Sequence, residues 1–173
     1  MMPLLINHRP SPNQGRRPIG VPISCVILHA DVSKRLSSSL HWILDPTSGV
    51  SYHFLLGRAG HIYECVQPTR RAWHAGRSAF AGVPDCNDYS IGVCFSNDQA
   101  GEPFSDAAVE TGARLVASLM DRYPAITLDR IVTHAAVATP KGRKRDPGPL
   151  FPMTYFLSRV AHHATHGVLP PAA

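Results

Sequence analysis

The chain's 173 residues suit one domain with one hydrophobic core, and 44% hydrophobic against 17% charged residues exclude a disordered chain. No apolar stretch approaches the ~20 residues that a membrane span requires. The formal charge of +5 draws polyanions of many kinds, but no Lys/Arg run is interleaved with aromatics, so no nucleic-acid platform is indicated.

The first twenty residues, MMPLLINHRPSPNQGRRPIG, are polar and proline-containing. They lack the apolar core and small-residue cleavage site of a secretory signal, which predicts a protein made in the cytoplasm. Residues 1–22 read as an irregular arm. SCVILH, ending at His29, predicts a buried strand. Ser37–Leu44 (SSSLHWIL) opens on serines suited to capping and stops before Pro46, which predicts a short helix. SYHFLLG, the turn Arg58-Ala59-Gly60 and HIYECV predict a hairpin, and SIGVCFS from Ser90 a further buried strand. Over Ser105–Arg122 the residues Val109, Leu115, Val116, Leu119 and Met120 share one helical face, with Ser105 as N-cap and Pro124 just past the end. RIVTH, ending at His134, predicts a strand, and a Pro/Gly-rich loop leads to a helix from Thr154 to about His163. Residues 166–173 read as a frayed tail. Cys25, Cys65 and Cys94 lie in strand-like runs and no C-x-x-C pair occurs, so they read as free buried thiols. Strands that alternate with helices and also form a hairpin predict a single α/β domain over 23–165, with a mixed central sheet and helices packed on its faces.

His29 and His134 each end an apolar strand where the chain leaves the sheet. A lone histidine there is more often a satisfied structural residue; two are more informative. Asp146 follows in RKRDPGP, a loop whose Pro and Gly residues hold a carboxylate in place. Two imidazoles and one carboxylate form a known catalytic zinc set that leaves a fourth position for water. By spacing alone, ligands this far apart are a weak signal. His53 follows Tyr52, so on a strand it points to the opposite face and reads as structural. His41, His61 and the tail group His162, His163 and His166 have no partner pattern.

Three runs in register add to this: RAWHAG (Arg71–Gly76), CNDYSIGV (Cys86–Val93) and GRKRDPGPLF (Gly142–Phe151). From about Cys25 to Phe151 the chain resembles the type 2 zinc N-acetylmuramoyl-L-alanine amidases. That family includes anhydromuropeptide amidases of cell-wall recycling and amidase-type phage lysozymes, and it is similar to the animal peptidoglycan recognition proteins. The resemblance implies zinc at strand ends, held by His29, His134 and Asp146. It places Lys144 in the active site, His74 in the substrate groove, and Arg143 where it meets peptide carboxylates, against the plainer reading of a solvated arginine.

The chain departs from the recycling enzymes at two positions. Where they have a glutamate after SIG, it has Cys94; where they have a small residue before the strand histidine, it has Tyr52. The phage lysozymes share the tyrosine and the cysteine. The departure implies a Tyr52/Lys144 arrangement, with Lys144 facing the developing oxyanion and Tyr52 orienting water, and Cys94 a buried thiol; no proton donor to the leaving amine is evident. The implied reaction is hydrolysis of the amide between N-acetylmuramic acid and L-alanine in peptidoglycan or muropeptides. The expected role is that of an endolysin, acting on the wall after release, with cytosolic recycling of anhydromuropeptides as the alternative. The other rivals are a non-catalytic peptidoglycan-binding module and a basic nucleic-acid binder. A monomer is expected.

Overall fold

The computed structural model describes residues 4–166 except 34 and 99. In chain order the strands are β1 (Ile6–His8), β2 (Gln14–Arg16), β3 (Cys25–Ala30), β4 (Phe54–Leu56), β5 (Ile62–Glu64), β6 (Arg70–Ala72), β7 (Ala79–Phe80), β8 (Val83–Pro84), β9 (Ser90–Phe95) and β10 (Ile131–Thr133). The helices are α1 (Leu36–Leu44), α2 (Asp106–Arg122), the one-turn α3 (His134–Val137) and α4 (Met153–His166). Six strands form one mixed sheet in the order β1-β5-β4-β9-β3-β10, in which only the β4–β5 hairpin is antiparallel. The α/β reading of the sequence holds, and the four cysteines are free and buried.

β3 and β9 are buried along their whole length, as unbroken apolar runs at the centre of a sheet must be. Their alternation divides the molecule. Val26, Leu28 and Ala30 of β3, with Ile91, Val93 and Phe95 of β9, join the main core beneath α2 and α4. On the other face, α1 packs Ile43 against Leu55, Cys65 and Cys94. α2 follows its predicted face and is capped by Ser105, whose side chain accepts from the Ala108 N–H. Gly112 lets α2 close on the sheet: a Cβ there would meet the Phe95 ring at 2.6 Å. Phe151, at the end of the GRKRDPGPLF run, sets its ring 5.1 Å from that of Phe95 and so anchors the preceding loop in the core. The tail histidine His163 pairs with Glu110 of α2 at 2.7 Å, beside the Arg159–Glu110 ion pair.

The chain differs from the sequence expectation in three places. Residues 1–22 are not wholly irregular: β1 extends the sheet by pairing with β5, and β2 pairs with β6. These strands have three residues each, too few to show a period among prolines and charges. Arg17 ties this segment down by donating to the carbonyls of Pro68, Asn87, Asp88 and Ser90 at 2.7–3.0 Å. Burial pulls its pKa down to about 10, so it stays charged at neutral pH. α1 starts without a serine cap; its N-cap is Arg35, and Ser39 Oγ instead donates to Asp31. The third difference is at Tyr52 and His53. β4 begins only at Phe54, so strict alternation does not apply before it. His53 fills the place of a strand partner beside β9, its Nδ1 accepting from Gly92 N–H at 2.9 Å, while Tyr52 reaches the same face as His29. The frayed tail expected from residue 166 lies, beyond His166, outside the described residues.

Candidate metal centre and cleft

Strand register brings the two histidines together. β10 pairs with β3 so that Thr133 stands beside Leu28, and one further residue sets His134 beside His29. Their ring centroids are 4.5 Å apart. His134 does not run into a loop, as expected, but opens α3, where Thr133 Oγ1 caps the turn by accepting from Ala136 N–H. The Asp146 loop returns to this point because the Asp146 carbonyl accepts from Ala135 N–H at 3.0 Å. His29 Nδ1 and His134 Nδ1 lie 3.1 and 3.0 Å from the same oxygen, Asp146 Oδ2. The ligand atoms of all three residues fall within 4.8 Å of one another.

The tautomers follow from the surrounding hydrogen bonds. His134 Nε2 faces the Ala75 carbonyl at 3.0 Å, and a carbonyl only accepts, so Nε2 carries the proton and Nδ1 of the neutral ring is bare. His29 is fixed by a longer relay. Ser90 Oγ donates to the Cys86 carbonyl at 2.6 Å, so it accepts from His74 Nε2–H at 3.3 Å. His74 Nδ1 then accepts from His29 Nε2–H at 3.0 Å, and His29 Nδ1 is also bare. Two bare imidazole lone pairs thus converge on one carboxylate oxygen. Three acceptors with no donor between them suit a cation, and neutral imidazoles with an ionised carboxylate are the protonation states that a metal needs. The 3.0–3.1 Å separations approach the ~3.4 Å edge of a tetrahedron with ligand bonds of about 2.0–2.1 Å. Burial pulls the His29 pKa down to about 4, which favours the neutral ring.

The motifs interlock behind this centre. Asn87 Oδ1 accepts from the backbone N–H groups of His74 and Ala75 at 3.1 and 2.8 Å, which aims the Ala75 carbonyl at His134. Gly92 makes room for His74: a Cβ there would stand 2.5 Å from its ring. Asn87, Ser90 and Gly92 therefore position the ligands, although the sequence marked them only as parts of a motif. A glycine inside an apolar strand was the available sign, since it marks a close approach.

A cleft of about 700 Å³ opens over the centre. Tyr52, His74, His134, Arg143, Lys144 and Asp146 all line it, and His29 lies beneath with no exposed surface. His74 is only 7% exposed and is bonded to His29, so it supports the ligand as well as bordering the groove. Arg143 is exposed, yet its guanidinium is engaged: it donates to the carbonyls of Ala75, Arg77 and Thr139 at 2.7–3.0 Å. The Tyr52 ring stands 5.0 Å from His29 and packs against the cluster that holds Cys94. Burial drives the phenol and the thiol well above their ordinary pKa values. Among the described residues, no helix is long and apolar enough to cross a membrane.

Comparison with known proteins finds relatives in both sequence and structure. The 1,6-anhydro-N-acetylmuramyl-L-alanine amidase AmpD of Haemophilus influenzae is 45% identical over 113 residues, which are 64% of this chain and 59% of that protein. The chain thus spans little more than half the length of the curated relatives it matches. A crystal structure of an AmpD selenomethionine derivative superposes with a TM-score of 0.75 at 28% identity, covering 92% of this chain and 99% of the other. The Escherichia coli N-acetylmuramyl-L-alanine amidase AmiD, in complex with the substrate anhydro-N-acetylmuramic acid-L-Ala-D-γ-Glu-L-Lys, gives 0.71 at 30% identity, covering 83% of this chain and 60% of the other. The Amidase_2 sequence profile, that of N-acetylmuramoyl-L-alanine amidase, matches residues 19–149. The chain belongs to the N-acetylmuramoyl-L-alanine amidase family, Amidase_2.

Proposed function

We propose that the protein is a zinc-dependent N-acetylmuramoyl-L-alanine amidase whose substrate is a soluble anhydromuropeptide, acting in the cytoplasm. The observation that carries the amidase reading is the convergence of His29 Nδ1, His134 Nδ1 and Asp146 Oδ2 at the floor of an open cleft. The preference for an anhydromuropeptide over the intact wall is supported by sequence relatives named as 1,6-anhydro-N-acetylmuramyl-L-alanine amidases. Those relatives replace the endolysin expectation that Tyr52 and Cys94 suggested; likeness to endolysin structures is at 17–19% identity and carries the fold alone.

When bound, zinc supplies a Lewis acid that polarises the lactyl carbonyl and acidifies water at neutral pH. His29 and His134 would hold it through Nδ1, since the Ser90–His74 relay and the Ala75 carbonyl keep those atoms unprotonated. Asp146 would be the third ligand, and its carboxylate would lower the net charge of such a centre to near +1. Lys144, on the cleft wall two residues before Asp146, offers the positive charge that faces the oxyanion developing on the lactyl oxygen. The Tyr52 phenol keeps its proton through the neutral range, so it donates a hydrogen bond toward the reacting water. Purified protein should hold about one zinc per chain and release stem peptide from soluble anhydromuropeptide much faster than from intact sacculi. Equal or faster action on sacculi would restore the endolysin reading. Cleavage that survives chelation would end the zinc reading.

A further inference from the structure

The reaction described above leaves Trp42 unused. It stands on α1 with 56% of its surface exposed, next to Ile43, which is buried beneath the site. A large aromatic left open on a cleft wall is where contact with a ligand concentrates. Trp42 shares this wall with Ser38, Ser39 and Val50. The carboxylate here, Asp31, is turned to Ser39 Oγ and to Asn97 N–H at 3.0 Å. The wall thus offers an indole face and hydroxyl groups. The stretch Arg143-Lys144-Arg145 of the same cleft is cationic.

These stretches lie on different sides of the metal centre. α1 packs over Leu55 and Cys94 of β4 and β9, whereas the Arg143–Asp146 loop follows β10, and β3 with His29 runs between. The scissile amide joins two parts of equally different chemistry. The muramyl sugar is uncharged once its lactyl carboxyl is in the amide, and its ring has apolar C–H faces. The stem peptide carries free carboxylates. We propose that Trp42 is the sugar platform of the cleft, stacking on the muramyl ring, while Arg145 on the opposite wall is left to meet a stem-peptide carboxylate, so that the substrate enters in one orientation. This rests on the amidase reading above.

The test uses zinc-loaded enzyme and the two products as separate competitive inhibitors: 1,6-anhydro-N-acetylmuramic acid and the free stem tripeptide. Trp42→Ala should weaken inhibition by the sugar about tenfold, the size of a strong aromatic contact, and leave inhibition by the tripeptide within about twofold. Trp42→Phe should keep most of the sugar affinity, and Trp42→Leu, which fills α1 without a flat face, should not. Saturation transfer from sugar ring protons to the Trp42 indole reads the contact in wild-type enzyme without any variant. Unchanged sugar inhibition in active Trp42→Ala, or loss of tripeptide inhibition instead, overturns the inference and leaves the amidase reading standing. A wild-type protein that cleaves no muropeptide overturns both.

Discussion

Replacing Gly92 with alanine should damage the metal centre without touching a ligand. The added Cβ would stand 2.5, 2.7 and 2.8 Å from Cγ, Nδ1 and Cδ2 of His74. To reach ordinary contact the ring must retreat by about 0.9 Å, in an interior packed too densely to absorb that freely. The His74 Nδ1–His29 Nε2 bond of 3.0 Å has little slack, and a retreat of that size takes it beyond hydrogen-bonding distance. His29 then loses the acceptor that keeps its proton on Nε2. Overpacking of this kind costs about 1–3 kcal/mol of stability. Loss of a partner that orients a ligand typically lowers metal affinity by about 10–100-fold. The assay is zinc competition against a chelator of known affinity, alongside thermal unfolding of the metal-free protein. Gly112→Ala is the control: its Cβ would press on Phe95 at 2.6 Å in the main core, so it should cost similar stability with zinc affinity unchanged. Wild-type zinc affinity in Gly92→Ala, with the stability loss present, would refute the relay argument.

Three further outcomes follow from the site. Asp146→Ala removes the carboxylate on which both Nδ1 atoms converge; metal analysis should show a loss greater than the roughly 10–100-fold of a supporting residue, with circular dichroism unchanged. Tyr52→Phe should lower kcat by about 10²–10⁴-fold with zinc still bound, whereas Cys94→Ala should cost little beyond packing; the reverse pattern would give the chemistry to the thiol. Acid should destabilise the metal-free protein through His53, whose pKa is pulled down to about 3 by burial and by the Arg17 charge. Between there and the ordinary histidine value the unfolded chain binds a proton that the folded chain refuses, so stability falls as pH drops below about 6.5. Melting temperatures in a chelating buffer should decline from pH 7.5 to 4.5, and a flat profile would contradict this.

Much of this architecture was readable where the residue pattern was long. The runs at Cys25–Ala30 and Ser90–Phe95 are unbroken and apolar, and α2 repeats its face over seventeen residues with a serine cap, so local physics and tertiary packing agree there. β1 and β2 depend on partners fifty or more residues away and have no local signature. The ligand histidines were visible as strand-ending residues, but their meeting depends on the register between β10 and β3, which a single strand does not encode. The roles of Ser90 and Asn87 were hidden for a related reason. Each acts on a residue more than ten positions away, and the polarity of the Ser90–His74 bond is set by a third group, the Cys86 carbonyl. Arg143 was read by its charge, yet its guanidinium is used to hold the backbone of its own loop and of the Ala75 segment.

The alternation along β3 and β9 also limits how this centre can change over evolutionary time. Inserting or deleting one residue in β9 would exchange its faces, turning Ile91 and Val93 toward the metal and sending Ser90, Gly92 and Cys94 into the apolar core. Such a step would harm folding and chemistry together, so no gradual sliding of the site along the sheet is open. Replacement in place is open. Position 94 packs with Ile43, Leu55 and Cys65 on the Tyr52 side while its neighbours Val93 and Phe95 carry the main core, so a side chain of similar size there can change its chemistry without disturbing that core. New variants of the reaction are therefore expected to arise by side-chain exchange at every second residue of these two strands, within a scaffold of constant length.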